Sequence, residues 1–215
     1  MGTKKLFYDN PYQSEADAEV VKIEGKKVWL DQTIFYAFSG GQASDTGTIE
    51  DSKVIDVQKE NGEFVHFLEE EPSFQEGGMV HLKLDWERRF HLMQLHTAAH
   101  IVHKIFSDRT GIKKLIGSNI SPEKARLDYS YEENINSFLL EIESEVNKLI
   151  QKKIEIKTFA DKDNPEKRWW QLDSKEDWKM PCGGTHVKNT KEIEAIKLKR
   201  KNIGAGKERI EITLA

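Results

Sequence analysis

Leu95-His96-Thr97-Ala98-Ala99-His100 lies inside a run from Trp86 to Phe106 that contains neither Gly nor Pro, and the run reads as one helix opening after Asp85. Two histidines four apart sit about 40° from each other around a helix, so both imidazoles leave the same face. Neutral imidazole at this spacing is half of a zinc site. The small residues between them leave room for a ligand. Two core histidines would look the same, so the pair alone decides little. A second pair four apart stands far downstream in Pro181-Cys182-Gly183-Gly184-Thr185-His186. Together His96, His100, Cys182 and His186 offer three nitrogens and one sulfur, and one zinc ion per chain is the expected cofactor.

Upstream of the helix, the first 85 residues read as β structure. Val20 to Ile23 and Lys27 to Leu30 flank Glu24-Gly25, while Lys53 to Gln58 and Phe64 to Leu68 flank Asn61-Gly62. The second turn is the stronger hairpin signal, because both residues tolerate positive φ. Met79 to Asp85 alternates again after Glu76-Gly77-Gly78. Short strands at near-regular spacing suggest a small barrel over residues 1–85. Gly40 to Gly47 interrupts the pattern with three glycines and Gln42, either a wide surface turn or a loop whose backbone approaches a ligand closely.

Downstream, Lys113 to Ile120 and Lys124 to Tyr131 are expected strands split by Ser121-Pro122. Glu133 to Lys152 is an amphipathic helix with Ile135, Phe138, Leu139, Ile142, Val146, Leu149 and Ile150 on its apolar stripe. Ile154, Ile156 and Thr158 alternate as a strand. Residues 160–180 are polar, apart from Trp169, Trp170 and Trp178, and lead into the cysteine loop. Lys191 to Lys201 and Lys207 to Leu214 read as a terminal hairpin. The expected fold class is therefore α+β: a small N-terminal β-barrel domain over 1–85, then an α+β domain over 86–215 with a largely antiparallel sheet and the zinc site.

Composition narrows the function. Of 215 residues 33% are charged, and the net charge is −4, so no overall basic footprint announces nucleic acid and any polyanion must use a local patch. No apolar run approaches the ~20 residues of a membrane span, and no signal-peptide core opens the chain. The single cysteine fits a reducing cytosol, so a cytoplasmic protein without membrane contact is expected, a monomer being the simpler reading. Among other histidines, His103 is three from His100 and could pair with it, His91 faces elsewhere, and His66 and His81 on expected strands read as structural or exposed. The H-E-x-x-H pattern of zinc peptidases is absent, and the missing C-x-x-C and about 80 residues between ligand pairs argue against an ordinary zinc finger.

Asp85-Trp86-Glu87-Arg88-Arg89, His96-Thr97-Ala98-Ala99-His100 and Cys182-Gly183-Gly184-Thr185-His186 together resemble the editing domain of alanyl-tRNA synthetase. They resemble still more its free-standing relatives, the AlaX-type alanyl-tRNA editing proteins. Gly40 to Gly47 is similar to the family's Gly-Gly-Gln-x-x-Asp-x-Gly element, and Gly117-Ser118, Arg126-Leu127-Asp128-Tyr129 and Glu208-Arg209-Ile210 fall where it has short signatures. The chain leaves no room for a synthetase catalytic domain, which points to the stand-alone, medium-length form.

The resemblance implies a zinc-containing hydrolase that cleaves the ester joining serine or glycine to alanine tRNA, acting in trans. A pocket sized for a small side chain rejects near-isosteres by only a few kcal/mol, hence the need for editing. Gln42 is expected to position water or the terminal adenosine, and Thr97 and Ser118 to meet the substrate, the more so because Ile116 stands where some relatives place a hydroxyl residue. The basic residues Lys197, Lys199, Arg200, Lys201, Lys207 and Arg209 would form a phosphate-contacting patch, as against a solvated edge hairpin. A zinc hydrolase of small esters or amides, and a non-catalytic tRNA-binding zinc protein, are the alternatives.

Overall fold

In the computed structural model, which describes residues 2–173 and 177–215, apolar and polar residues alternate along short strands that bury one face. The chain is mixed α+β with largely antiparallel sheets and divides into two compact units, Met1–Ser39 with Ala43–Phe90 and Gly40–Gln42 with His91–Ala215.

The first unit carries β1 (Lys4–Lys5), α1 (Leu6–Asp9), β2 (Glu15–Glu24), β3 (Lys27–Leu30), β4 (Gln32–Thr33), β5 (Gly47–Ile49), β6 (Ser52–Glu60), β7 (Glu63–Leu68) and β8 (Met79–Leu84). Six strands pair antiparallel in the order β2-β3-β7-β6-β5-β8, and β8 pairs back on β2, so the hydrogen bonding closes on itself. Asn61 (φ 52°) and Gly62 (φ 88°) make the tight turn between β6 and β7 that their composition leads one to expect. Strand β5 was not expected, since the glycine segment hid it. A side chain at Gly47 would run into the Lys83 carbonyl where β5 crosses β8. The core gathers residues such as Val20, Leu30, Phe35, Val54, Leu68 and Leu82, all at most 1% exposed. Asp45 and Arg89 are buried together: Arg89 Nε donates to Asp45 Oδ1 (2.9 Å), Nη2 to the other carboxylate oxygen and to the Ile34 carbonyl (2.7 Å), and Nη1 to the Pro11 carbonyl (2.9 Å). With every polar atom partnered, the pair is tolerated inside.

Helix α2 (Trp86–Thr110) counts with the first unit to Phe90 and with the second from His91. It is buried nearly all round, with Leu92, Met93, Leu95, Ala98, Ile101, Val102 and Phe106 inside, as a helix apolar on several faces must be. The second unit adds β9 (Gly117–Ile120), β10 (Ala125–Ser130), α3 (Asn136–Ile150), β11 (Ile156–Ala160), β12 (Arg168–Leu172), β13 (Lys179–Pro181), β14 (Ile196–Asn202) and β15 (Lys207–Leu214). Two antiparallel sheets result, β14-β15-β10-β9 and β11-β12-β13. Helix α3 starts later than the expected Glu133, because Asn134 Oδ1 accepts from Asn136 N (2.9 Å) and turns the chain there. Its Asn147 amide brackets Ile196, accepting from the backbone N (2.9 Å) and donating to the carbonyl (3.1 Å), and so docks α3 on β14.

Three sequence expectations change here, and one is that the strand expected from Lys191 begins only at Ile196, after a 3-10 turn over Thr190–Glu192. The strand expected from Lys113 begins only at Gly117. The polar stretch over 160–180, part of which (174–176) lies outside the described residues, contains two strands, β12 and β13, whose alternation buries Trp170.

Candidate metal centre

Helix α2 presents His96 and His100 on one face, with ring centroids 5.0 Å apart and planes at 22°. The loop after β13 supplies Cys182 and His186. Ligand atoms of His96, His100, Cys182 and His186 all lie within 4.8 Å of one another. Cys182 Sγ is 3.5 Å from His96 Nε2 and 3.2 Å from His186 Nε2. A tetrahedral zinc with sulfur at about 2.3 Å and nitrogen at about 2.0–2.1 Å would separate sulfur from nitrogen by about 3.6 Å, close to both distances from Cys182, so these residues fit such an ion. His103 stays outside the group; its ring stacks on Tyr129, with Nδ1 3.3 Å from the phenol oxygen.

Burial governs the protonation of all four. It pushes His96 down to about 4. It drives His100 and His186 well below the usual range too, with neighbouring histidine charge adding to it. It pushes the Cys182 thiol up to about 11. Burial therefore keeps the three rings neutral, which suits a bound cation, while the thiol would lose its proton to solvent on coordination.

Sequence reasoning missed what surrounds these residues. Trp170 is buried and stacks on His100 at 4.9 Å and 15°, and Met180 Sδ is 2.5 Å from His100 Nδ1. The alternation of β12 and the position of Met180 two residues before Cys182 were the available signals. Gly184 was visible only as part of a motif. A side chain there would meet His96 Nδ1 at 2.5 Å and Gln42 Oε1 at 2.7 Å, so the loop must be bare at this point.

The three residues expected to touch substrate have different surroundings. The glycine motif is divided: Asp45 and Gly47 build the first unit, while Gly41 and Gln42 join the second. Ile120 N donates to the Gly41 carbonyl (2.7 Å), and Gln42 bridges to Ile120. Gln42 is fully buried, and its amide bonds to His96 and Thr185, so it does not face solvent as a water-positioning group would. The Thr97 hydroxyl, also fully buried, donates to the Met93 carbonyl (2.8 Å) and lies 3.1 Å from His186 Nδ1. Ser118, on β9, remains half-buried.

The basic residues separate as well. Arg200 is held by Glu208 through two bonds (2.6 and 2.5 Å) and Arg209 by Asp128 (2.6 and 2.9 Å), and the near-buried carboxylates hold both guanidinium groups in the charged form. Lys197, Lys199 and Lys201 alternate onto one exposed face of β14, with Lys197 3.3 Å from Glu143, and Lys207 is exposed at the start of β15.

Fold and site define a class: an α+β protein with a buried three-histidine, one-cysteine group able to hold a metal ion. A family model described as tRNA synthetases class II (A) matches residues 3–88, and one described as Threonyl and Alanyl tRNA synthetase second additional domain matches residues 174–211. The alanyl-tRNA editing protein AlaX-M of Pyrococcus horikoshii is 42% identical over 221 residues, covering 99% of this chain and 98% of its own length. AlaX-M of Saccharolobus solfataricus is 34% identical, with 99% of each covered. An alanine–tRNA ligase of Methanococcus maripaludis is 37% identical over 97% of this chain, which spans 26% of that ligase. The chain belongs to the family of AlaX-M alanyl-tRNA editing proteins. No helix among the described residues is long and apolar enough to cross a membrane.

Proposed function

We propose that this protein is a cytoplasmic trans-editing hydrolase that deacylates seryl- and glycyl-tRNA(Ala). The observation that carries the reading is the convergence of His96, His100, Cys182 and His186 in a chain that is similar over its whole length to an alanyl-tRNA editing protein. These four residues would hold one zinc ion. When bound, zinc supplies a positive charge that polarises an ester carbonyl or a water. His100 and Cys182 keep partial exposure, so the substrate ester approaches from their side, whereas His96 and His186 are sealed. Ser118, half-buried on β9, is our choice to meet the amino-acid side chain, in the absence of a hydroxyl at the exposed Ile116. We read the closed ring of six strands over the first unit as the family's N-terminal barrel, and the second unit as its editing domain.

For the tRNA, the exposed Lys197, Lys199, Lys201 and Lys207 are the better phosphate contacts, since Arg200 is held by Glu208 on the other face of β14 and Arg209, beside Lys201, is held by Asp128. Such contacts give affinity without sequence information. A deacylation assay tests the whole reading. Seryl- and glycyl-tRNA(Ala) should be hydrolysed, correctly charged alanyl-tRNA(Ala) spared, and free seryl esters barely touched. Equal turnover of free esters would favour a small-ester hydrolase without an RNA partner, and no turnover of either a non-catalytic tRNA-binding protein.

A further inference from the structure

A histidine can ligate through Nε2 only if its proton sits on Nδ1, and that N–H then needs an acceptor. At His96 the acceptor is Gln42 Oε1, 2.7 Å away. An amide can be turned round, but here the backbone decides its orientation. Thr185 N, which can only donate, reaches the same oxygen at 3.0 Å, and Gln42 Nε2 donates to Thr185 Oγ1 at 2.9 Å. The oxygen therefore faces His96, the proton lies on Nδ1, and Nε2 is left with its lone pair, 3.5 Å from Cys182 Sγ.

A different pair repeats the logic at His186. Thr97 Oγ1 spends its one proton on the Met93 carbonyl of its own helix, which can only accept (2.8 Å). Its contact with His186 Nδ1 at 3.1 Å must then be a bond that it accepts. The proton is again on Nδ1, and Nε2 points toward Cys182 Sγ at 3.2 Å. Two side chains expected from sequence to meet substrate are instead turned toward the back of the group. Bare Gly184 makes the first arrangement possible, since a methyl group there would occupy the space of the His96–Gln42 bond.

We infer that Gln42 and Thr97 are positioning residues that fix the tautomers of His96 and His186 for metal binding, acting through the two ligands and not on substrate or water. This rests on the reading of the quartet as a zinc site, and the tests separate the two. Zinc affinity, measured by chelator competition on the full chain, should weaken about ten- to a hundredfold in Gln42→Ala and in Thr97→Val. Gln42→Glu and Thr97→Ser keep an acceptor toward the ring and should recover affinity to within about threefold of wild type. The absorption spectrum of the cobalt-loaded protein should change in the first two variants and not in the second two.

Wild-type affinity in Gln42→Ala overturns the inference for His96, and equal weakness of Gln42→Ala and Gln42→Glu shows that packing, not the acceptor, matters. Tautomers can also be read in the unaltered metal-free protein from long-range proton–nitrogen NMR correlations, so the inference stands or falls even if a variant misfolds. Protons on Nδ1 of both His96 and His186 support it, and a proton on Nε2 of either overturns it there. If the wild-type chain binds no zinc, the metal reading itself fails, and that result is distinct from equal binding by wild type and variant.

Discussion

His66 and His96 are both buried and both driven down to about 4 by burial, yet they are histidines of opposite kind. His66, in the first unit, is closed by its own chain: Nδ1 lies 3.2 Å from the Val28 carbonyl and Nε2 2.8 Å from the Thr33 hydroxyl, which also accepts from Phe35 N (3.0 Å). His96 has a partner of its own at Nδ1 alone, while its Nε2 shares one thiol with His186. Its Nδ1 is held by Gln42, and its Nε2 faces a thiol and two more imidazoles that offer no complementary charge. Equal burial and equal depression of pKa therefore say little about role. What separates them is whether each nitrogen has a partner of its own or is gathered with other donor atoms.

The largest effect should come from zinc at the His96 site. With free zinc a thousandfold above its Kd, the metal should stabilise the folded chain by about 4 kcal/mol in denaturant titration. Chelation should cancel this. Cys182→Ala or His96→Ala should abolish the zinc-dependent increment and lower deacylation by about a hundredfold or more. His66→Gln and His103→Ala should retain one zinc per chain, and loss of zinc from either would break the distinction between closed and open histidines.

The second effect belongs to the closed one. The folded pKa of His66, about 4, lies below the unfolded value of about 6.5, so as pH falls the unfolded chain binds the proton first. The stability that the neutral ring gives is whole above pH 6.5 and is lost between 6.5 and 4, by about 3 kcal/mol at the lower end. His66→Gln should remove close to one proton from the slope of stability against pH in that window. An unchanged slope would mean that the ring is not held neutral by burial.

How much of this was legible in the sequence follows the same line. Spacing on one helix brought His96 and His100 together because helical geometry fixes that pair, and the repeat of the spacing pointed to Cys182 and His186 in their loop. The Asn61-Gly62 turn was legible for the same reason. The setting of Gln42 was not: Gly41 and Gln42 leave the strands around them and join Ile120, a contact made by tertiary packing with no local periodicity. Trp170 was hidden in a polar stretch whose two strands are only three and five residues long. The pairings of Arg200 with Glu208 and of Arg209 with Asp128 were also out of reach, since a count of basic residues cannot tell a satisfied charge from a free one.

A third prediction probes the open side at its tightest point. Gly184→Ala puts a methyl group against the His96 ring and Gln42 Oε1, so the ring or the loop must shift. Metal geometry is strict, and zinc affinity should fall by about tenfold, roughly 1.4 kcal/mol, with the acid response of His66 unchanged. Unchanged affinity would show that the loop relaxes freely and that the close approach does not define the site.

The smallest effect carries the contrast to the surface. Arg200 and Arg209 are cations closed by the chain, through Glu208, 3% exposed, and Asp128, 7% exposed. Lys199 and Lys201 stand exposed on β14, open to a phosphate. If tRNA lies against this face, each lysine that contacts a phosphate releases a counterion on binding. Removing it should then flatten the plot of log affinity against log salt by about 0.7–0.9 per contact, with an affinity loss on the order of 1 kcal/mol or less at moderate salt. Lys199→Ala with Lys201→Ala should roughly double the single effect. Arg200→Gln should instead leave the slope nearly unchanged and lower Tm, because it strands the buried carboxylate of Glu208. If Arg200→Gln flattens the slope while the lysine pair does not, the guanidinium must leave Glu208 to meet the phosphate, and the division between closed and open charges fails on this sheet.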